Sequence, residues 1–319
     1  MTAGDLCVIK LKENMKRLLH QSLLISLLVF YSNDIFAQSV KDVAGVSVTA
    51  HGESQFNDLP EGSGLHGNKF KYNTYDAWLS LPPMHFGKTQ LFTNINYRLM
   101  DFSFDQKNTQ DLYRLDKIHE IKAVMIVRHP IAKKWSVLGI LIPTVASDFK
   151  SSFSSDDLIV DGIYGVSKRF GKKSNLEVGF GLHVMYSFQE FLFTPGISVD
   201  YKSNNGKWTG QFYWPRLNVA YNLTPHTQVG IAGSIDWTRY NLKNYTDFEG
   251  KEVDYAQFST IHAGIQFNQR IYKNLWFQLQ GGMGLFGSYK LFSPGHDTIR
   301  NFSIDNTAYG KAMITYRLK

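Results

Sequence analysis

The sequence predicts an all-β fold, an antiparallel transmembrane β-barrel carried behind an N-terminal signal peptide, and three observations carry that reading. The first is a charged and then apolar N-terminus. The second is a two-residue alternation of apolar and polar side chains over unusually long segments. The third is a regular exchange of short and long connections between those segments.

At the N-terminus, Met15-Lys16-Arg17 precede an apolar run from Leu18 to Phe30, and Ile35-Phe36-Ala37 then leads into Gln38. This is the order of an export signal: a basic start, an apolar centre and a small residue at the cut. The apolar run is shorter than the roughly 20 residues a spanning helix needs, and His20 and Gln21 interrupt it. Cleavage is expected after Ala37, with Met15 as an alternative start, so that residues 1–37 are signal and 38–319 form one barrel domain. The single cysteine, Cys7, lies in the discarded segment, which leaves the mature chain without a disulfide, a thiolate metal site or a cysteine nucleophile.

The net charge is +7, yet Lys and Arg do not gather into a basic helix or block, and several sit in short turns such as Lys133-Lys134 and Lys172-Lys173. A nucleic-acid partner is therefore not expected. The 17 Tyr, 23 Phe and 6 Trp suit aromatic girdles at two membrane interfaces.

Alternation is clearest from Leu176 to Ser187. One face carries Leu176, Val178, Phe180, Leu182, Val184 and Tyr186, and the other Glu177, Gly179, Gly181, His183, Met185 and Ser187. Such a period means a strand with one apolar and one polar face. The pattern recurs around Leu91–Leu99, Ile261–Phe267 and Leu275–Leu285, and at the end in Ala312, Ile314, Tyr316 and Leu318. Strands of about 10 residues exceed the usual soluble strand of about 5 or 6 and match a tilted transmembrane strand. Lipid leaves no partner for an open strand edge, so such strands close into a barrel with apolar faces outward.

Short turns are expected at 82–85, 130–134, 171–174, 203–206, 224–226 and 272–274, and long external loops at 54–71, 105–115, 148–157, 241–254 and 291–305. Long and short alternate, as barrels require, when strands fall at 43–53, 72–81, 89–104, 116–128, 135–147, 158–169, 175–187, 193–202, 207–214, 216–223, 227–240, 255–271, 274–290 and 306–318. That gives 14 strands; a count of 12 follows if Trp214-Pro215 kinks one strand instead of ending it.

Trp135-Ser136 followed by Pro143-Thr144-Val145-Ala146-Ser147-Asp148 resembles an uncharacterised family of outer-membrane barrels common in Bacteroidota, filed as a domain of unknown function. Pro195-Gly196-Ile197, Asp200-Tyr201-Lys202, Asn205-Gly206-Lys207-Trp208 and Val219-Ala220-Tyr221-Asn222 resemble that family's later hairpins, so the likeness runs over most of the mature chain. The resemblance implies fold and location and carries no catalytic or binding residue across. Trp214 stands where the family more usually has Leu or Ile before the proline.

No catalytic, cofactor or metal site emerges. Ser259 and His262 face opposite sides of a strand, which forbids the hydrogen bond a serine nucleophile needs. Asp148 with Ser151, Ser152, Ser154, Ser155, Asp156 and Asp157 lacks the spacing of a calcium loop. The candidate lumen-lining residues are Arg98, Glu120, Lys122, Glu177, His183, Asp200, Lys202, Asp236, His262, Lys311 and Arg317. Charges of both signs on an inner wall fit a channel for small solutes whose selectivity they tune. They fit equally a closed interior in a structural or ligand-binding envelope protein; an outer-membrane lipid-modifying enzyme ranks third. The expected partners are outer-membrane lipid, the barrel-assembly machinery and small solutes.

Overall fold

The computed structural model describes residues 42–58, 68–105, 115–150, 157–187, 190–247 and 249–318. The signal segment 1–37 lies outside the described residues, as do parts of the loops at 54–71, 105–115 and 148–157.

Fourteen strands build one closed sheet. They are β1 (Asp42–His51, extended by Ser54–Gln55), β2 (Lys69–Ser80, resumed at Met84–Phe86), β3 (Thr89–Phe104), β4 (Lys117–Ala132) and β5 (Trp135–Ser147). Then follow β6 (Leu158–Phe170), β7 (Leu176–Ser187), β8 (Glu190–Lys202), β9 (Trp208–Tyr213) and β10 (Arg216–Thr224). The last four are β11 (Thr227–Thr246), β12 (Glu252–Tyr272), β13 (Leu275–Phe292) and β14 (Thr298–Ile304, resumed at Thr307–Arg317). Each strand runs antiparallel to the next, and β1 closes on β14 with Asp42 against Arg317 and His51 against Tyr309. Closure leaves no sheet edge around the lower wall, which lipid would not tolerate.

Trp214-Pro215 is a two-residue turn, with Arg216 registered against Tyr213, so the count is 14 and not 12. Three expected connections differ. Pro82-Pro83 interrupts β2 without reversing it; the chain turns after Gly87, whose φ of 61° is open to glycine, and Phe86 pairs with Thr89. Prolines remove ladder donors, but reversal needs the left-handed backbone.

The segments 241–254 and 291–305 are not loops. They are the outer parts of long strands: β11 runs to Thr246, β12 starts at Glu252, and β14 starts at Thr298. Their polar residues hide an alternating apolar set. Tyr240, Leu242, Tyr245, Val253, Tyr255, Tyr289, Leu291, Phe302 and Ile304 are all buried.

On the outer surface large apolar side chains stand exposed, among them Ile265 at 71%, Phe180 at 65% and Phe193 at 64%. A belt of this kind around a closed barrel is suited to hydrocarbon and not to water. The termini and short turns lie at one end, the periplasmic end by the usual barrel orientation, and the long connections at the other.

Candidate functional site

The inner wall divides into four zones. Its outer end is sealed by side chains. Phe56, Phe70, Tyr72, Met100, Phe102, Leu115, Ile118, Tyr240, Tyr255, Phe258, Tyr289 and Phe302 form one apolar cluster inside the barrel. Tyr72 stacks on Phe102 at 5.2 Å, and Phe258 meets Tyr72 edge-on at 5.2 Å and Phe102 at 5.3 Å. Offset and edge-on ring pairs at this separation add to what burial alone supplies. The outer part of β11 also crosses the lumen: Asn241 pairs in parallel with Ser147 of β5 and donates its side-chain amide to Asp157 at 3.2 Å. The barrel is therefore closed at the top by a cap of its own strands.

Directly beneath lies a dense polar network. His51 stacks under Tyr72, with ring centroids 3.8 Å apart, and its Nε2 lies 2.9 Å from Nε2 of His262. The other nitrogen of His262 meets Asp236 at 3.2 Å. Arg98 donates to Asp76 at 2.7 Å, and Ser47 also donates to Asp76 at 3.1 Å. Lys122 pairs with Glu120 at 2.8 Å. Lys311 lies within electrostatic reach of Asp76 and Asp236. A buried charge without a partner is very unfavourable, and this zone answers each carboxylate with a cation or a donor.

Nearer the periplasmic end, Glu177 is held by Arg128 at 2.7 Å and Arg169 at 2.9 Å, and His183 approaches Asp161 at 3.3 Å. Asp200 accepts from Gln211 at 3.2 Å and from the Tyr213 hydroxyl at 3.1 Å. Arg317 pairs with Asp42 at 2.6 Å and stacks over Trp276 at 4.7 Å. Lys202 continues the face of Asp200, and its backbone amide donates to Asn175.

The fourth zone is the inner face of β9 and β10. Asn218 registers with Gln211, which places it and Arg216 on the lumen side. Both are exposed, as is Tyr213, so this side of the lumen is open to water.

The structure thus brings Arg98, Glu120, Lys122, Asp236, His262 and Lys311 into one central network and leaves Glu177, His183, Asp200, Lys202 and Arg317 in separate positions along the wall. Sequence reading missed His51, Asp76, Arg128 and Arg216. His51 ends the polar face Ser47, Thr49, His51, so the period-2 signal that found the others reaches it too. The Ser259 hydroxyl bonds Ser288 at 2.9 Å in a pair that does not share the inward register of His262.

A closed antiparallel barrel, apolar outside and polar within, is an outer-membrane β-barrel protein. A family model described as "Domain of unknown function (DUF6268)" matches residues 33–311, and the chain belongs to that family. No curated protein matches the chain. Among solved structures it is similar to an outer membrane channel from Pseudomonas putida F1, at 11% identity and TM-score 0.39, covering 90% of this chain and 100% of that one. It is also similar to a mutant of the monoaromatic hydrocarbon channel TodX, at 9% identity and TM-score 0.38, covering 86% and 89%. A third is outer membrane phospholipase A from Escherichia coli, at 10% identity and TM-score 0.36, covering 90% and 95%.

Proposed function

We propose that the protein is a narrow channel for small solutes, in which passage follows the wetted wall of β8–β10 and not the barrel axis. The observation that supports it is the asymmetry of the lumen. Arg216, Asn218 and Tyr213 are exposed on one wall, while Arg98, Asp76 and Glu120 pack together on the far one. Charged and hydrogen-bonding side chains on the open wall would select among solutes by charge and donor pattern.

The test is release of entrapped solutes from proteoliposomes containing the refolded protein, with arabinose and hexanesulfonate as probes. Release of at least one above the protein-free rate is expected. Retention of both would end the channel reading. The cap favours a second reading in that event, an envelope protein with a closed lumen that acts through its external surface.

A further inference from the structure

The wall of the barrel is incomplete above the shortest hairpin. β9 and β10 end at Tyr213 and Arg216, whereas their neighbours β8 and β11 continue past them toward the outer side. The β8–β9 register stops at Ser198 against Tyr213, with one further bond from the Trp214 amide to the Ile197 carbonyl. The β10–β11 register stops at Arg216 against Ser234, with one further bond from the Ile235 amide to the Pro215 carbonyl. Beyond these points no described strand pairs with β8 on that side, and β8 and β11 do not pair with each other. A notch is left, bounded by β8, the Trp214-Pro215 turn and β11. From Glu190 to Ile197 it spans about 23 Å of β8 at the usual strand rise.

Four features of the notch point the same way. The odd-numbered residues of β8 turn their backbone groups toward β9, as Ile197 does, so Phe191, Phe193 and Pro195 face the gap. Pro195 has no N–H to leave unpaired there, the position in which a strand edge tolerates proline. The side chains of Phe191 and Phe193 belong to the exposed apolar belt, so the gap opens at membrane depth. Peptide groups that face hydrocarbon without partners are strongly unfavourable, which means that water or a polar group occupies this mouth.

Inside the notch runs a side-chain-free trough. Gly165, Gly181 and Gly196 stand in register across β6, β7 and β8, on the inward face that carries Glu177 and His183. A Cβ on Gly165 or Gly181 would strike the facing backbone, at 2.6 Å from the Phe180 carbonyl oxygen and 2.5 Å from the Tyr164 carbonyl oxygen. A Cβ on Gly196 meets nothing nearer than 4.0 Å, so the trough is open where it reaches the notch. Met185 and Ile159 are buried in the cap cluster, and Leu192 packs against it, above this level; a solute in the trough has the notch, not the axis, as its way out. Arg216 stands at the lower lip of the mouth. It is exposed, and although it lies within electrostatic reach of Asp236 it makes no close ion pair among the described residues.

We infer that the notch is a lateral gate of this channel, through which small amphipathic organic anions pass between the lumen and the outer leaflet. The inference rests on the channel reading above. Arg216 meets the anionic head in the wetted lumen, while the apolar tail crosses the mouth past Phe191, Phe193, Ile197, Trp214 and Trp237, all exposed on the outer surface. A bidentate guanidinium suits a carboxylate or sulfonate head.

The test uses hexanesulfonate, whose permanent charge keeps it from crossing bare bilayer, and arabinose, which has no apolar tail. In proteoliposomes the full-length barrel releases hexanesulfonate at least fivefold faster than arabinose. Gly196→Trp, which fills the trough, slows hexanesulfonate at least tenfold, and Gly196→Ala leaves it within twofold. Folding of each variant is checked by the heat-shifted mobility of the intact barrel on a gel. Hexanesulfonate release unchanged in Gly196→Trp, or arabinose leaving as fast as hexanesulfonate, overturns the gate and leaves the channel reading standing. Retention of both probes by the unaltered protein defeats the channel reading and the gate with it.

Discussion

Nε2 of His51 lies 2.9 Å from Nε2 of His262, so one of the two rings donates a proton to the other. The Tyr72 carbonyl, 3.3 Å from Nδ1 of His51, accepts a proton there, which leaves Nε2 of His51 as an acceptor. His262 then donates from Nε2 to His51, while its Nδ1 lies 3.2 Å from the Asp236 carboxylate. Asp236→Asn removes the carboxylate that faces Nδ1 of His262. The expected loss is about 2 kcal/mol, the scale of a buried charge-assisted hydrogen bond, read as a lowered urea midpoint of the folded gel band. An unchanged midpoint would show that the Asp236 contact adds nothing to stability.

Arg98 stands among Asp76, Asp236 and Glu120 under the cap. Its partner Asp76 has a side chain only 17% exposed, so Arg98→Ala strands a carboxylate and is expected to cost about 3 kcal/mol. Adding Asp76→Asn should restore part of the loss, because the stranded charge is then gone. Additive losses in the double variant would mean that the two residues act independently.

Asn241 ties the two far walls together. Its amide reaches Asp157, which is 1% exposed, and Asn241→Ala leaves that side chain with one donor fewer, at a cost of about 1–3 kcal/mol. Faster proteolytic nicking of the β11–β12 hairpin in intact cells is the readout, and an unchanged rate would place the strength of the cap in its rings alone.

The strand count, the alternation and the inward set of charges were legible in the sequence because a period of two writes each wall residue into one of two classes. What stayed hidden was the vertical change within the inward class. Thr74 and Asp76 share a face with Phe70 and Tyr72, and only the barrel shows that the first pair lies in the polar lumen and the second in the cap. The same blindness made Leu242, Tyr245 and Val253 look like a polar loop, since Asn241, Asn244 and Asp247 lie among them. The notch was out of reach as well: it depends on where β9 stops relative to β8, which is a fact of register and not of composition.

The hairpin that roofs the barrel has a pH-sensitive tie. Arg300 bonds Asp247 at 3.1 Å and also pairs with Glu249 in the connecting turn, and that hydrogen bond holds the Glu249 carboxyl below the usual carboxylate range. A lowered value means that the tie is fully present above the ordinary carboxylate range and is lost as pH falls through the lowered one. Proteolysis near Lys251 by an acid-active protease should therefore accelerate once pH falls below the ordinary carboxylate range, and lose that pH dependence in Glu249→Gln. Equal acceleration in Glu249→Gln would assign it to other groups.

The cap of Tyr72, Phe102 and Phe258 decides how the lumen works, and single-channel conductance in a planar bilayer tests it most directly. The unaltered barrel should show little or no steady conductance along its axis, and the variant Tyr72→Ala/Phe258→Ala, folded by the gel criterion, should show stepwise openings at least tenfold larger. A wide steady conductance in the unaltered protein, or none gained when the two rings are removed, would contradict a lumen sealed by its own aromatic cap.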